Sequence, residues 1–123
     1  MDALFKQGIE YFNSEYFFEA HDAFEEIWMD IRGNDRRFFQ GLVQVSTGFY
    51  HLRMRNLDGG VSQLAKGVEK LNAFLPTHHT VDLDRLLTEV KACINMLKSV
   101  TIKDFAFSGM RSTIPKIRTI EPH

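Results

Sequence analysis

The chain has 123 residues, a length that fits one compact domain and leaves little room for two. Hydrophobic residues make up 44% and charged residues 25%, which is typical of a globular protein and excludes wholesale disorder. The net charge is −1, so the basic footprint of a nucleic-acid-binding protein is missing. The single cysteine, Cys93, excludes an internal disulfide and a CxxC metal or redox site. Because amphipathic sequence follows Met1 directly, without a charged and then apolar leader, we expect a cytoplasmic protein that binds neither nucleic acid nor membrane.

Apolar spacing is helical almost throughout, and no segment shows a convincing strand period. We therefore predict an all-α, single-domain bundle of about five helices over residues 1–100. A mostly irregular tail, residues 101–123, is expected to pack on the bundle. The predicted helices cover residues 2–12, 16–31, 36–54, 61–75 and 82–98, and turn or capping residues separate them.

The third predicted helix is the unusual one, because residues 38–52 contain no charged side chain. A helix that is apolar or neutral on every side is expected to lie at the centre of a domain. Its Gln, Ser, Thr and His content and its length argue against a membrane span. Gly41 and Gly48, seven residues apart, would allow another helix to approach closely.

Polar residues recur at helical spacing on the second and third predicted helices. His21 and Glu25 are four residues apart on one face of the second helix, and Trp28 continues that face. On the third helix a second polar stripe has spacings of four, three and four residues, and it comprises Gln40, Gln44, Thr47 and His51. Helices joined by a short turn usually pack antiparallel, so the two stripes are predicted to converge inside an otherwise apolar core.

Three interpretations of this cluster remain open. The polar side chains can satisfy one another as a buried structural network, or they can line a pocket for an organic ligand, with Trp28 as a cofactor- or ligand-binding residue. In the third interpretation, His21, Glu25 and His51 hold a divalent metal such as Zn²⁺, and a bound water completes the site. Asp22, Gln40 or Gln44 would then orient that water or the substrate. The spacing is neither the HExxH motif nor the Glu-x-x-His signature of di-iron bundles.

Two other features are expected to be inert. His78 and His79 follow Pro76 in a predicted loop, where we expect them to be solvated. Cys93 lies on the apolar side of the fifth predicted helix, where a buried, unreactive thiol is the ordinary outcome.

Several segments together resemble the domain of unknown function 309 family. The resemblance covers about residues 8–75, and the residues that carry it are Phe18–Trp28, Phe39–Gln44, His51 and Asn56–Gly60. Members of that family are small all-helical proteins that are often labelled predicted metal-dependent hydrolases. The family's characteristic positions correspond to His21, Glu25, Trp28, Gln40, Gln44 and His51, whereas Asp22 replaces the usual Glu.

The resemblance implies a metal-dependent hydrolase and names no substrate. For this function we expect a small-molecule substrate and a divalent metal that is held by His21, Glu25 and His51. The alternative function is a non-catalytic helical interaction module whose polar cluster fixes helix register. A homo-oligomer is compatible with either function.

Overall fold

Five α-helices account for most of the chain in the computed structural model, which describes residues 2–120. They are α1 (Asp2–Asn13), α2 (Phe17–Asp30), α3 (Asp35–Arg53), α4 (Leu57–Leu71) and α5 (Leu83–Leu97). Two of them begin with a side-chain cap: Asn56 accepts a hydrogen bond from Gly59 N, and Asp82 accepts one from Arg85 N. The all-α prediction is confirmed.

Helix α3 lies at the centre of the bundle and packs against both α2 and α4. Its largest side chains are almost completely buried, as Phe38, Phe39, Leu42 and Phe49 expose 1% of their surface or less. This burial explains why residues 38–52 carry no charge, since an unpaired charge in this position would be strongly destabilising. None of the described helices is long and apolar enough to cross a membrane.

Glycines bring α3 and α4 into close contact. A methyl group at Gly67 would lie 2.9 Å from the backbone oxygen of Gly41, and one at Gly60 would lie 3.0 Å from that of Gly48. Leu64 and Leu71 of α4 fill the space beside Gly48 and Gly41. The predicted close approach at Gly41 and Gly48 is therefore confirmed, and the helix that approaches is α4.

A short hairpin between α4 and α5 was not predicted. Helix α4 ends at Leu71 rather than at residue 75, and a 3-10 turn (Asn72–Phe74) leads into β1 (Thr77–His78) and β2 (Val81–Asp82). The strands pair antiparallel, with His78 opposite Val81. Strands of two residues are too short for any periodicity to reveal, so the expectation of a chain without strands was wrong here.

The segment after α5 packs back onto the helices. It contains a 3-10 helix (Phe107–Thr113), and its apolar side chains Phe105, Met110 and Ile117 are buried. Asn13 at the end of α1 holds this segment through two hydrogen bonds to the backbone of Ile117, at 2.9 and 2.7 Å. Residues 121–123 of the predicted tail lie outside the described residues.

We expect Gly67→Ala to lower the free energy of unfolding by about 1–3 kcal/mol, because its methyl group meets the backbone of α3. The result would oppose the usual helix preference of Ala over Gly, which is about 1 kcal/mol. Gly109→Ala is the matched control, since no atom lies within 4 Å of a methyl group there, and it should change stability by less than about 0.5 kcal/mol. Urea denaturation of the three proteins measures both effects, and equal stabilities would contradict the close packing.

Candidate functional site

Helices α2 and α3, which carry the two predicted polar stripes, contact each other near both of their ends. The rings of Phe18 and Tyr50 lie 5.4 Å apart at one end, and the Arg36 guanidinium lies 4.1 Å above the Trp28 ring at the other. These two contacts fix α2 and α3 antiparallel, as predicted. We call the surface between them the α2–α3 groove; its polar residues are His21, Glu25, Gln40, Gln44, Thr47 and His51.

His21 and Glu25 are in direct contact within this groove. His21 Nε2 lies 3.1 Å from Glu25 Oε2, and His21 Nδ1 lies 3.3 Å from Asp22 Oδ1. Neither contact has hydrogen-bonding geometry, and the buried Nδ1 atom has no hydrogen-bond partner among the described residues. The three side chains are 24%, 43% and 61% exposed for His21, Glu25 and Asp22. The site is therefore a partly open groove and not the buried site that the apolar surroundings predict.

The other predicted residues do not complete a metal-binding group with this pair. Within residues 2–120, the ligand atoms of His21, Glu25 and His51 are not all within 4.8 Å of one another. Gln44 Oε1 is buried and has no hydrogen-bond partner among the described residues. The polar residues of the groove consequently do not form the mutually bonded network that one interpretation requires.

A second cluster joins the start of α3 to the hairpin. Asp35 Oδ1 lies 2.8 Å from His78 Nε2, and Asp35 Oδ2 lies 2.8 Å from His79 Nε2. All three side chains are about one-third exposed or less, so the expectation of a solvated histidine pair was wrong. The three also form the group of potential metal ligands in the described part of the chain. We call them the Asp35–His78–His79 cluster.

Sequence reasoning missed this cluster because its members are 43 and 44 residues apart. Asp35 is the first helical residue of α3, and Asn34 occupies the cap position. The adjacent histidines were the only local signal, and adjacent polar residues after a helix are common in solvated loops.

Aromatic rings pack against the two histidines. The His78 ring lies 4.7 Å from both Phe38 and Phe74. The His79 ring packs at 5.5–6.1 Å from Phe5, Phe38 and Phe39. The pKa of Asp35 lies below its usual range, and the hydrogen bond with His78 is the largest cause. The hydrogen bond with His79 also lowers this pKa, whereas desolvation by burial raises it.

Two further features lie apart from both sites. A pocket of about 260 Å³ between α1 and α2 is lined by Leu4, Glu26, Ile27, Asp30 and Ile31, and so by none of the candidate ligands. Cys93 is buried and donates a hydrogen bond to Thr113 O at 3.3 Å. Burial raises the pKa of its thiol, which agrees with the predicted inert cysteine.

These observations define a small all-helical domain with a polar surface groove and a separate carboxylate–histidine cluster. Residues 5–63 match the family model described as "Domain of unknown function (DUF309)", which confirms the resemblance predicted from the motifs. The matched range contains every polar residue of the groove and Asp35, but it ends before His78 and His79.

A curated relative extends the same similarity. The "Uncharacterized protein YpuF" of Bacillus subtilis (strain 168) is 26% identical over 96 residues, which cover 76% of this chain and 55% of that protein. The chain thus spans about half the length of this relative. The relative's name assigns it no activity, so the comparisons establish a protein of unknown function.

The unpartnered oxygen of Gln44 leads to a prediction about stability. If Gln44 belonged to a satisfied network, Gln44→Leu would cost about 1–3 kcal/mol. Because its buried oxygen has no partner among the described residues, we expect Gln44→Leu to leave the free energy of unfolding unchanged or to raise it. Chemical denaturation measures the free energy of unfolding of this variant, of the wild type and of the control Gln40→Leu on the same face. If Gln44→Leu alone lowers the free energy of unfolding by more than about 1 kcal/mol, the structural network is supported.

Proposed function

We propose that the protein is a metal-dependent hydrolase that acts on a small polar substrate in the α2–α3 groove. The observation that carries this proposal is the contact of 3.1 Å between His21 Nε2 and Glu25 Oε2. Two atoms that bind one Zn²⁺ ion at about 2.0–2.2 Å lie about 2.8–3.6 Å apart when the angle between the bonds is about 90–110°. The pair therefore fits two positions of a divalent metal site without rearrangement.

The position of Asp22 also supports a ligand role for His21. Histidines that bind metal through one ring nitrogen commonly direct the other toward a carboxylate, which fixes the orientation and tautomer of the ring. His21 Nδ1 faces Asp22 Oδ1 at 3.3 Å, so a small rotation would form this hydrogen bond. Asp22 is shorter than the Glu typical of the family, yet its carboxylate reaches the neighbouring imidazole.

His51 is the proposed third ligand, and it would join the pair after a change of side-chain conformation. A divalent metal with an open position polarises a substrate carbonyl or phosphoryl group and lowers the pKa of bound water. The chain itself supplies the rest of the site. Rotation of Gln44 toward the groove would present its buried, unpaired oxygen to a substrate N–H or O–H group, while Gln40 and Trp28 border the groove.

The alternative function is an interaction module in which the same cluster is structural. A structural cluster needs its buried polar atoms to be paired, since an unpaired buried group costs free energy. The unpaired oxygen of Gln44 favours a site that is completed by a ligand over a cluster that only fixes helix register.

Binding at this site can be detected with the single tryptophan. Trp28 is three residues from Glu25. It is seven residues from His21, which corresponds to about 10 Å along the helix axis. We therefore expect Cu²⁺ to quench the Trp28 fluorescence of untagged protein in a saturable manner. Cu²⁺ is the probe because it binds most strongly among the divalent first-row transition metals. We expect His21→Ala and Glu25→Gln each to lower the apparent affinity for Cu²⁺ by about tenfold or more. Loss of a residue that only supports a metal ligand already lowers metal affinity by about tenfold.

Hydrolysis requires a separate assay. The Zn²⁺-loaded protein would be tested on chromogenic phosphate esters, carboxylic esters and amides, with the same variants and with Glu26→Gln as the matched control on the exposed side of α2. Activity that depends on His21 and Glu25, but not on Glu26, is the expected result. Activity that survives both groove substitutions, or quenching that they leave unchanged, would overturn the proposal.

A further inference from the structure

We infer that the Asp35–His78–His79 cluster is a second divalent metal site, structural in character and independent of the α2–α3 groove. It would take a transition-metal ion such as Zn²⁺, Co²⁺ or Ni²⁺ and tie the hairpin to the start of α3. His78 and His79 lie outside residues 5–63, which match the family model.

The positions of the ligand atoms suit a small divalent ion. Each imidazole presents Nε2 to a different oxygen of Asp35, at 2.8 Å in both cases. Around a tetrahedral Zn²⁺ ion with bonds of about 2.0 Å, ligand atoms lie about 3.3 Å apart, so each contact of 2.8 Å would open by about 0.5 Å. Because the three atoms already lie within 4.8 Å of one another, an ion can bind with only small shifts of the side chains.

The chemistry of the ligands selects the class of ion. Two imidazoles and one carboxylate suit Zn²⁺ and its neighbours in the transition series, whereas Mg²⁺ and Ca²⁺ prefer sites built from oxygen atoms. With both histidines neutral, the cluster carries one negative charge from Asp35, which favours a dication. Binding would require each imidazole to carry its proton on Nδ1, so that the Nε2 lone pair faces the ion.

The surroundings hold the ligands in place. Four phenylalanine rings confine the two imidazoles, and they are Phe5, Phe38, Phe39 and Phe74. Asp35 is fixed at the first turn of α3. Ligands that are held before the ion arrives lose little conformational freedom on binding. The cluster remains accessible, since the three side chains are 27–33% exposed.

The backbone around the histidines gives the site its structural character. His79 and Thr80 form the two-residue turn of the hairpin, with φ angles of 46° and 63°, and β2 pairs with the C-terminal segment through Val81 and Thr119. Ile120 N also donates to Thr80 O at 2.6 Å. An ion bound at Asp35 would therefore connect α3, the hairpin and the C-terminal segment, and it would stabilise the fold against unfolding.

The test isolates this cluster from the groove. All proteins carry His21→Ala and Glu25→Gln, are untagged and are freed of metal before titration with Co²⁺ at pH 7.5. Co²⁺ reports its ligands through its visible absorption, and Zn²⁺ should displace it. We expect one Co²⁺ per chain and a rise in the unfolding temperature upon binding.

Further substitutions then identify the ligands. We expect Asp35→Asn and His78→Ala each to lower the affinity for Co²⁺ by about tenfold or more, which is the loss caused by removing even a supporting residue of a metal site. The Asp35→Asn substitution keeps the size of the side chain. Asp84→Asn, an exposed carboxylate at the start of α5, is the matched control and should bind as the background protein does. Circular dichroism before metal addition establishes whether each variant is folded. If His78→Ala is unfolded, the Co²⁺ affinity of the Asp35→Asn variant alone tests the inference.

Two results would overturn the inference. The background protein could bind no Co²⁺, in which case the cluster is a hydrogen-bonded clamp between a carboxylate and two imidazoles. Alternatively, binding could persist in the folded Asp35→Asn variant, which would place the ion elsewhere. Neither result affects the proposed function, because the groove is tested in the chain that retains His21 and Glu25.

Discussion

The close packing of α3 against α4 is the constraint on which the rest of the structure depends. Each of the four glycines leaves room for one side chain of the opposite helix to pack against its backbone: Leu71 at Gly41, Leu64 at Gly48, Leu52 at Gly60 and Val45 at Gly67. This contact fixes the rotation of α3 about its own axis. The buried phenylalanines of α3 then face the core, and its polar stripe faces outward along the α2–α3 groove. A different rotation would bury Gln40 and Gln44 and expose Phe38 or Phe49.

Sequence reasoning predicts the helices well because their signals are local. The uncharged run of residues 38–52, the cap at Asp82 and the spacing of His21 and Glu25 all depend on neighbours within a few turns. The same reasoning overestimated the burial of the groove, since periodicity shows which residues share a face and not how deeply that face lies. His21 is on the face predicted for it, yet the side chain is 24% exposed.

The histidine pair shows what local patterns leave out. Asp35 meets His78 and His79 only because a two-residue hairpin and the start of α3 converge in space, and nothing within a few residues of either segment encodes that convergence. Phe38 and Phe39 lie in the run that was predicted to be central, but the contact of the two histidines with them was not predicted. The two polar sites therefore differ in origin: the groove arises from helical spacing, while the Asp35–His78–His79 cluster arises from tertiary packing.

The hydrogen bonds between Asn13 and Ile117 connect positions 104 residues apart, and this separation bears on how the chain folds. Loop closure over such a distance is entropically unfavourable until the intervening helices have collapsed. The helical bundle should accordingly form first, and the C-terminal segment should dock onto a nearly complete surface. In the native state we expect the reverse order. The segment from Phe105 to Ile117 is joined to α1 by side-chain hydrogen bonds rather than by regular backbone pairing, so it should open before the glycine-packed pair α3 and α4.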